Sequence, residues 1–136
     1  MAIKVIPFEP WHMDWLHVQP AQAAELAKVP AFVKRQLAAE ESWTVADGER
    51  FLMCGGVIPI GSDCRALVWT FMGGDIGRKQ FLELHNKVRK YIRGLKYPRL
   101  EMEVADGFKA GHRWARLLGF KPEPLGNGRT LYVRFR

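Results

Sequence analysis

Cysteine is scarce in this 136-residue sequence: Cys54 and Cys64 are the whole supply. Two cysteines cannot build a disulfide framework, and reduced thiols in a cytoplasmic protein are the expectation. Paired Cys/His spacing of the kind that grips zinc is missing. His12 and His17, five apart in a helical stretch, do not share a face as a metal-holding pair would. No apolar run approaches the ~20 residues that span a bilayer, and the opening MAIKVIPFEP lacks the hydrophobic stretch of a secretory signal. Internal repeats, low-complexity segments and long linkers are also absent, so a single domain over 1–136 is expected. No Ser-His-Asp set is marked by spacing. Acidic residues are short as well: 14 Asp and Glu against 21 Lys and Arg leave a net charge of +7. That balance favours a polyanionic partner such as nucleic acid, a phosphorylated cofactor or an acidic protein. Plain solubility is the simpler account of the same charge.

What is present is an ordered series of strand and helix signals. Residues 3–8, IKVIPF, read as a short strand whose Pro7 suits a sheet edge. Glu9-Pro10 opens a helix with proline in its first turn, and Trp11, Trp15 and Leu16 fall on one face. Pro20 and Pro30 divide the next stretch into helical pieces at 21–28 and 31–41, and in the second Phe32, Val33, Gln36, Leu37 and Glu40 describe a moderate amphipath. Strands at 43–46 and 50–60 are joined by Asp47-Gly48. Gly55-Gly56 inside the second implies a bulge or a close backbone approach. After a turn at Gly61-Ser62-Asp63, RALVWTFM at 65–72 is the most apolar strand and belongs at the sheet centre. Gly73-Gly74-Asp75-Ile76-Gly77 leads into the longest helix, 78–95, with Phe81, Leu84, Val88, Tyr91 or Ile92, and Leu95 on its buried stripe. Arg78, Lys79, Lys87, Arg89, Lys90, Arg93 and Lys96 make the rest of 78–96 basic.

Residues 100–120, LEMEVADGFKAGHRWARLLGF, say most. Leu100, Met102 and Val104 alternate with Glu101 and Glu103, the period of a strand. Asp106-Gly107 is a turn, and from Phe108 the apolar spacing changes to three and four. Gly119 supplies the left-handed residue that ends a helix, and Phe120 folds back onto it. A strand at 121–124, a Gly126-Asn127-Gly128 turn and a strand at 130–135 close the chain. The predicted order is β-α-α-β-β-β-α-β-α-β-β, an α/β (α+β) fold with a mixed sheet.

The HRWARLLGF block, a helix ending in Leu-Gly-Phe before a strand, resembles the last motif of the GNAT superfamily of N-acetyltransferases. The order of elements is similar to the GNAT plan over essentially the whole length. Through EPWHMDWL-x-x-QPAQ at the start and GHRWARLLGF near the end, the chain also resembles small GNAT-like proteins of tailed phages and prophages. The resemblance implies a GNAT-like fold, acetyl-CoA as acyl donor and an amine as acceptor. For a phage protein it also implies the host cytoplasm or the virion as location.

It further implies that acetyl-CoA lies where the central parallel strands part, its pyrophosphate on the loop entering the long helix. By position those residues are Met72, Gly73, Gly74, Ile76, Gly77, Arg78 and Lys79. The family's Gln/Arg-x-x-Gly-x-Gly/Ala pattern is out of register here. Gly73 stands where Gln or Arg belongs, Ile76 and Arg78 stand where small residues belong, and Asp75 adds negative charge. A simple strand-to-helix turn is the other reading of these glycines. The family's carboxylate base falls to Glu101 or Glu103, whose plainer reading is the solvated face of an alternating strand. The tyrosine that often protonates the departing thiolate is replaced by Ala115, and Phe108 stands where an Asn often lies. His112 is the acid candidate that remains, with a surface position in a basic helix as its plainer reading.

Elsewhere the expectations are structural. The five tryptophans are expected in core and rim packing, His85 at the surface, and both cysteines as buried small apolar groups on adjacent strands. Two other functions fit the same sequence. One is a GNAT scaffold without catalysis that binds a phage or host protein in virion assembly or host interaction. The other is a nucleic-acid-binding module using the basic 78–96 helix.

Overall fold

The computed structural model describes residues 3–136. Seven strands form one sheet in the order β1-β2-β3-β4-β5-β7-β6. They are β1 (Lys4–Pro7), β2 (Glu41–Asp47), β3 (Arg50–Ile60), β4 (Ser62–Met72), β5 (Arg99–Ala105), β6 (Lys121–Pro124) and β7 (Arg129–Phe135). Three short helices, α1 (His12–Trp15), α2 (Pro20–Ala27) and α3 (Ala31–Ala39), fill the chain between β1 and β2. The three helical pieces read from the prolines are all present, one more than the condensed order of elements counted. The longer α4 (Arg78–Gly94) joins β4 to β5, and α5 (Lys109–Leu117) joins β5 to β6. The order of strands and helices around this mixed sheet otherwise follows the sequence pattern.

β4, apolar almost throughout, sits at the centre of the sheet, and β1 with its Pro7 is an edge. Period-two side chains give the sheet two packed faces. On one, Leu84, Val88 and Ile92 of α4 and Trp114, Ala115 and Leu118 at α5 pack with Val68, Met72, Leu100, Met102, Val104 and Tyr132. On the other, Met13 and Leu16 cover Cys54 and Phe71, flanked by Phe8. Gly55 and Gly56 make a close approach and not a bulge. A β-carbon on Gly55 would lie 2.6 Å from the Trp43 ring, and one on Gly56 would lie 2.8 Å from the Trp69 indole nitrogen. The register shifts fall instead at Val45/Ala46 and Pro59/Ile60.

The corner after α5 forms as its sequence requires. Gly119 has φ +94°, Phe120 is buried, and the amides of Gly119 and Phe120 donate to the carbonyls of Arg116 and Ala115. These are the two closing bonds of a helix that ends on a left-handed glycine. Among the aromatic and thiol expectations, two are corrected. Trp15 is 70% exposed on a helix of only four residues, so it is not packed. Cys64 is exposed because it lies at the beginning of β4, beyond the core, whereas Cys54 is buried in β3.

Candidate active-site cleft

Among the described strands, β4 and β5 are the only parallel neighbours, and they pair over three residues: Arg65, Ala66 and Leu67 against Arg99, Leu100 and Glu101. Beyond that both strands continue, β4 to Met72 and β5 to Ala105, without pairing to each other. A cleft of about 620 Å3 opens between them. That volume lies in the range of small-molecule sites. Because its walls include Val68 and Met72 as well as Trp69 and Phe71, it passes through the sheet from one face to the other.

The two faces differ in chemistry. Toward α4 and α5 the lining is Ile76, Phe81, Phe108, Trp114 and Leu117, apolar except for Arg113. Trp114 is fixed by donating from its indole N–H to His85 Nδ1 at 3.0 Å, and His85 stacks on Phe81. His85 is therefore not a free surface histidine. It sits against the aromatic wall, and burial, with Arg89 nearby, lowers its pKa. Toward α2, beside Leu67, Trp69 and Phe71, the lining carries the polar groups Gln19, Gln22, Glu25, Glu103 and Arg129. Arg129 donates from Nε to Glu103 (3.0 Å) and from Nη2 to Glu25 (3.1 Å), so it ties α2 to β5.

Along the parted edge of β4, the main chain is already paired. The Gln19 amide donates to the Met72 carbonyl at 2.9 Å, and the Gly74 amide donates to the His17 carbonyl at 2.9 Å. The Gln22 carboxamide completes the row. It donates to the Thr70 carbonyl and accepts from the Met72 amide, both at 3.0 Å, while Gln22 itself is buried.

The residues singled out in the sequence separate into groups. Met72, Gly73, Gly74 and Ile76 line the cleft. The Gly73 amide is committed to the Leu52 carbonyl, as the Gly74 amide is to His17. Gly77 caps α4, its amide held by the Gln80 side chain at 3.2 Å. Arg78 and Lys79 are exposed in the first turn of α4 and do not line the cleft. Asp75 is neutralised by Arg50, whose Nη2 lies 2.9 Å from Oδ1 and also donates to the Asp75 carbonyl. The Arg50 hydrogen bond to the carboxylate holds the Asp75 carboxyl below the usual carboxylate range.

Glu103 lines the cleft and Glu101 does not. Glu101 is buried where β4 and β5 still pair, 2.6 Å from Arg65 Nε and 3.0 Å from Arg99 Nε. The Arg65 hydrogen bond, seconded by Arg99, holds its carboxyl low against the opposing effect of burial. The solvated strand face expected for both glutamates thus applies only to Glu103, because Glu101 has a guanidinium from each strand over it. His112 lies outside the cleft. Its Nε2–H donates to the carbonyls of Ala105 and Asp106, and its Nδ1 accepts from the Tyr132 hydroxyl at 2.7 Å. Those bonds pin α5 to the end of β5 and to the middle of β7. Ala115 is fully buried. Cys54 is no nucleophile, since burial pushes its thiol up to about 11. Among the described residues no His, Cys, Asp and Glu cluster could hold a metal, and no helix is long and apolar enough to cross a membrane.

Gln22, Glu25 and Arg129 escaped the sequence reading. Gln22 left one trace: it shares the inward stripe of α2 with Leu26, four residues on, where a polar group must find a partner. Glu25 and Arg129 left none, because 104 residues separate two ends of one ion pair.

No protein-family model matches the chain, and no curated protein matches it. Solved structures do. An acetyltransferase from Streptococcus agalactiae superposes with a TM-score of 0.75 at 16% identity, covering 98% of each chain. An acetyltransferase from Thermus thermophilus gives 0.72 at 17%, covering all of this chain and 98% of the other. A GNAT-family acetyltransferase from Bacillus anthracis gives 0.67 at 9%, over 99% of this chain and 95% of the other. The chain has the GNAT fold. At these identities the likeness is one of fold, and a GNAT fold alone does not fix a reaction. The chemistry of the cleft must decide that.

Proposed function

We propose that the chain is an N-acyltransferase that moves the acetyl group of acetyl-CoA to an amine. The observation that carries this reading is a cleft through the sheet with apolar walls on one face and a carboxylate, Glu103, on the other. The side chains present suit such a donor. Acetyl-CoA supplies an acyl group activated as a thioester. Met72, Phe81, Met102, Phe108 and Trp114 offer its arm apolar walls that exclude water. The orphan amides in the first turn of α4, with Arg78 and Lys79 beside them, favour a diphosphate. Gly73 and Gly74, whose amides are bonded within the protein, contribute space and not donors. The Arg50–Asp75 pair removes the charge that would repel phosphate.

Glu103 is the base in this reading. It takes the proton of the acceptor ammonium, directly or through water, and frees the nitrogen lone pair for attack. With Ala115 where a tyrosine would stand, the departing thiolate draws its proton from water or from the attacking amine. Glu101 and His112 keep structural roles. The acceptor comes from the α2 face, where Glu25 and Glu103 outnumber Arg129 and favour a cation.

A second reading is a GNAT-fold protein that binds without catalysis, in phage assembly or at a host protein. It is favoured by the paired edge of β4 and by the missing acid at Ala115. The exposed basic face of α4 keeps nucleic acid as a third. Calorimetry with acetyl-CoA and desulfo-CoA, followed by thiol release over an amine panel, separates them. Heat and amine-dependent thiol release support the transferase, heat without release supports the binding protein, and heat from neither ends the CoA reading.

A further inference from the structure

A parted strand leaves backbone donors and acceptors that must be paired by something. On β4 that something is the chain itself. Residues 17–19 run along the edge, with a single antiparallel bridge between Val18 and Gly73 flanked by the Gln19–Met72 and His17–Gly74 bonds, and Gln22 follows in the first turn of α2. The next two groups along the edge, the Thr70 carbonyl and the Met72 amide, receive no main chain. They receive the Gln22 carboxamide, which presents one N–H and one C=O in the order a peptide unit would. Gln22 is also part of the cleft wall, so these bonds face the space a ligand would enter.

We propose that Gln22 is a built-in stand-in for an extended, amide-bearing ligand arm, occupying the β4 edge while the cleft is empty and leaving when the arm arrives. An arm with an amide at that depth would pair with the same carbonyl and the same amide, as added strands do at sheet edges. Both cannot be there together. Displacement needs only a side-chain rotation of Gln22, since the main-chain bonds of Gln19 and Gly74 lie nearer the end of the strand. The consequence is a cost on affinity for arms that carry amides, and none for ligands that occupy only the diphosphate end. The inference rests on the CoA reading.

The test is calorimetry on wild type and two variants, Gln22→Met and Gln22→Ala, each checked for a cooperative melt. Met keeps the volume but cannot pair, so it reports even if the Ala variant fails to fold. Desulfo-CoA, which has the amide arm, is the first probe, and ADP, which lacks it, is the second. The expected result is about tenfold tighter desulfo-CoA binding in Q22M, with ADP affinity unchanged, the gain from removing two competing hydrogen bonds of ordinary net strength. The Met72 amide should exchange slowly in empty wild type, fast in empty Q22M, and slowly in both once desulfo-CoA is bound. Equal or weaker desulfo-CoA binding in a folded Q22M overturns the stand-in while leaving the CoA reading intact. Tightening of ADP to the same degree also overturns it, since that means general loosening. No desulfo-CoA binding by any of the proteins removes both readings together.

Discussion

At the closed end of the β4–β5 pair, Glu101 is sealed under Arg65 and Arg99, which are register partners across the two strands. At the open end, two residues further along β5 and on the same face, Glu103 is 42% exposed and meets Arg129 from β7. One strand thus offers the same carboxylate twice, in opposite circumstances. Where the strands pair, their side chains are brought within reach, and charge is neutralised locally. Where they part, Glu103 finds partners only from distant chain, through Arg129 to Glu25, and keeps contact with solvent and with the cleft. The parting of two strands is what seals one glutamate between guanidinium groups and leaves the other open to the cleft.

The largest effect expected from breaking this contrast is catalytic. Glu103→Gln should lower kcat by a factor of about 10²–10⁴, the usual worth of a positioned base. Its melting temperature should stay close to wild type, because its ion pair is half exposed. Amine-dependent thiol release measures the first and a thermal melt the second. Full turnover in the variant would take the base role from Glu103. Glu101→Gln should do the reverse. Removing a buried charge from between two guanidinium groups should lower unfolding free energy by about 2–3 kcal/mol in urea titration. Turnover per folded molecule should hold. Loss of turnover in E101Q with none in E103Q would invert the comparison.

Much of the frame was legible in the sequence because it rests on local signals. Alternation in 100–104, proline at Pro7, Pro20 and Pro30, and glycine at Gly119 each constrain a few neighbouring residues, and each does so in the structure. What local pattern cannot carry is which side of a strand's end stays paired. Glu101 and Glu103 are indistinguishable by period, and only the three-residue overlap of β4 with β5 separates them. His85 and His112 share basic helices with true surface residues, yet their rings are fixed by Trp114 and Tyr132, 29 and 20 residues away. Gly73 and Gly74 signalled open backbone, while their amides were being used by Leu52 and His17. In each case the deciding partner is remote in sequence.

A smaller effect is expected at the mouth. Arg129→Ala removes the bridge that ties α2 to β5, but all three side chains in it are 32–45% exposed. Stability should therefore fall by less than about 1 kcal/mol. The change should appear instead in KM for the acceptor amine, with KM for acetyl-CoA nearly constant. Equal shifts in both would mean that Arg129 shapes the whole cleft and not its α2 face.

The smallest expected effect is a dependence on acidity that tells the two glutamates apart. Arg65, then Arg99, depress the folded-state pKa of Glu101 from its ordinary value of 4.5. A carboxyl of lowered pKa contributes stability that is complete above the unfolded value and is lost as pH falls through the folded one. The Glu101 contribution should therefore be constant from pH 7 to about 5 and drain away at lower pH. Asp75, held low by Arg50, adds a loss in the same direction, and His12 and His85, whose pKa values are lowered by burial, add another beginning below their ordinary 6.5. Those three groups are common to wild type and E101Q, so they cancel in the difference between them. The urea midpoints of the two proteins should stand apart by a fixed amount at pH 7 and pH 5 and converge toward pH 3. A gap that persists at pH 3 would mean that the glutamine variant suffers from packing, and that the closed end of the β4–β5 pair is held by shape and not by charge.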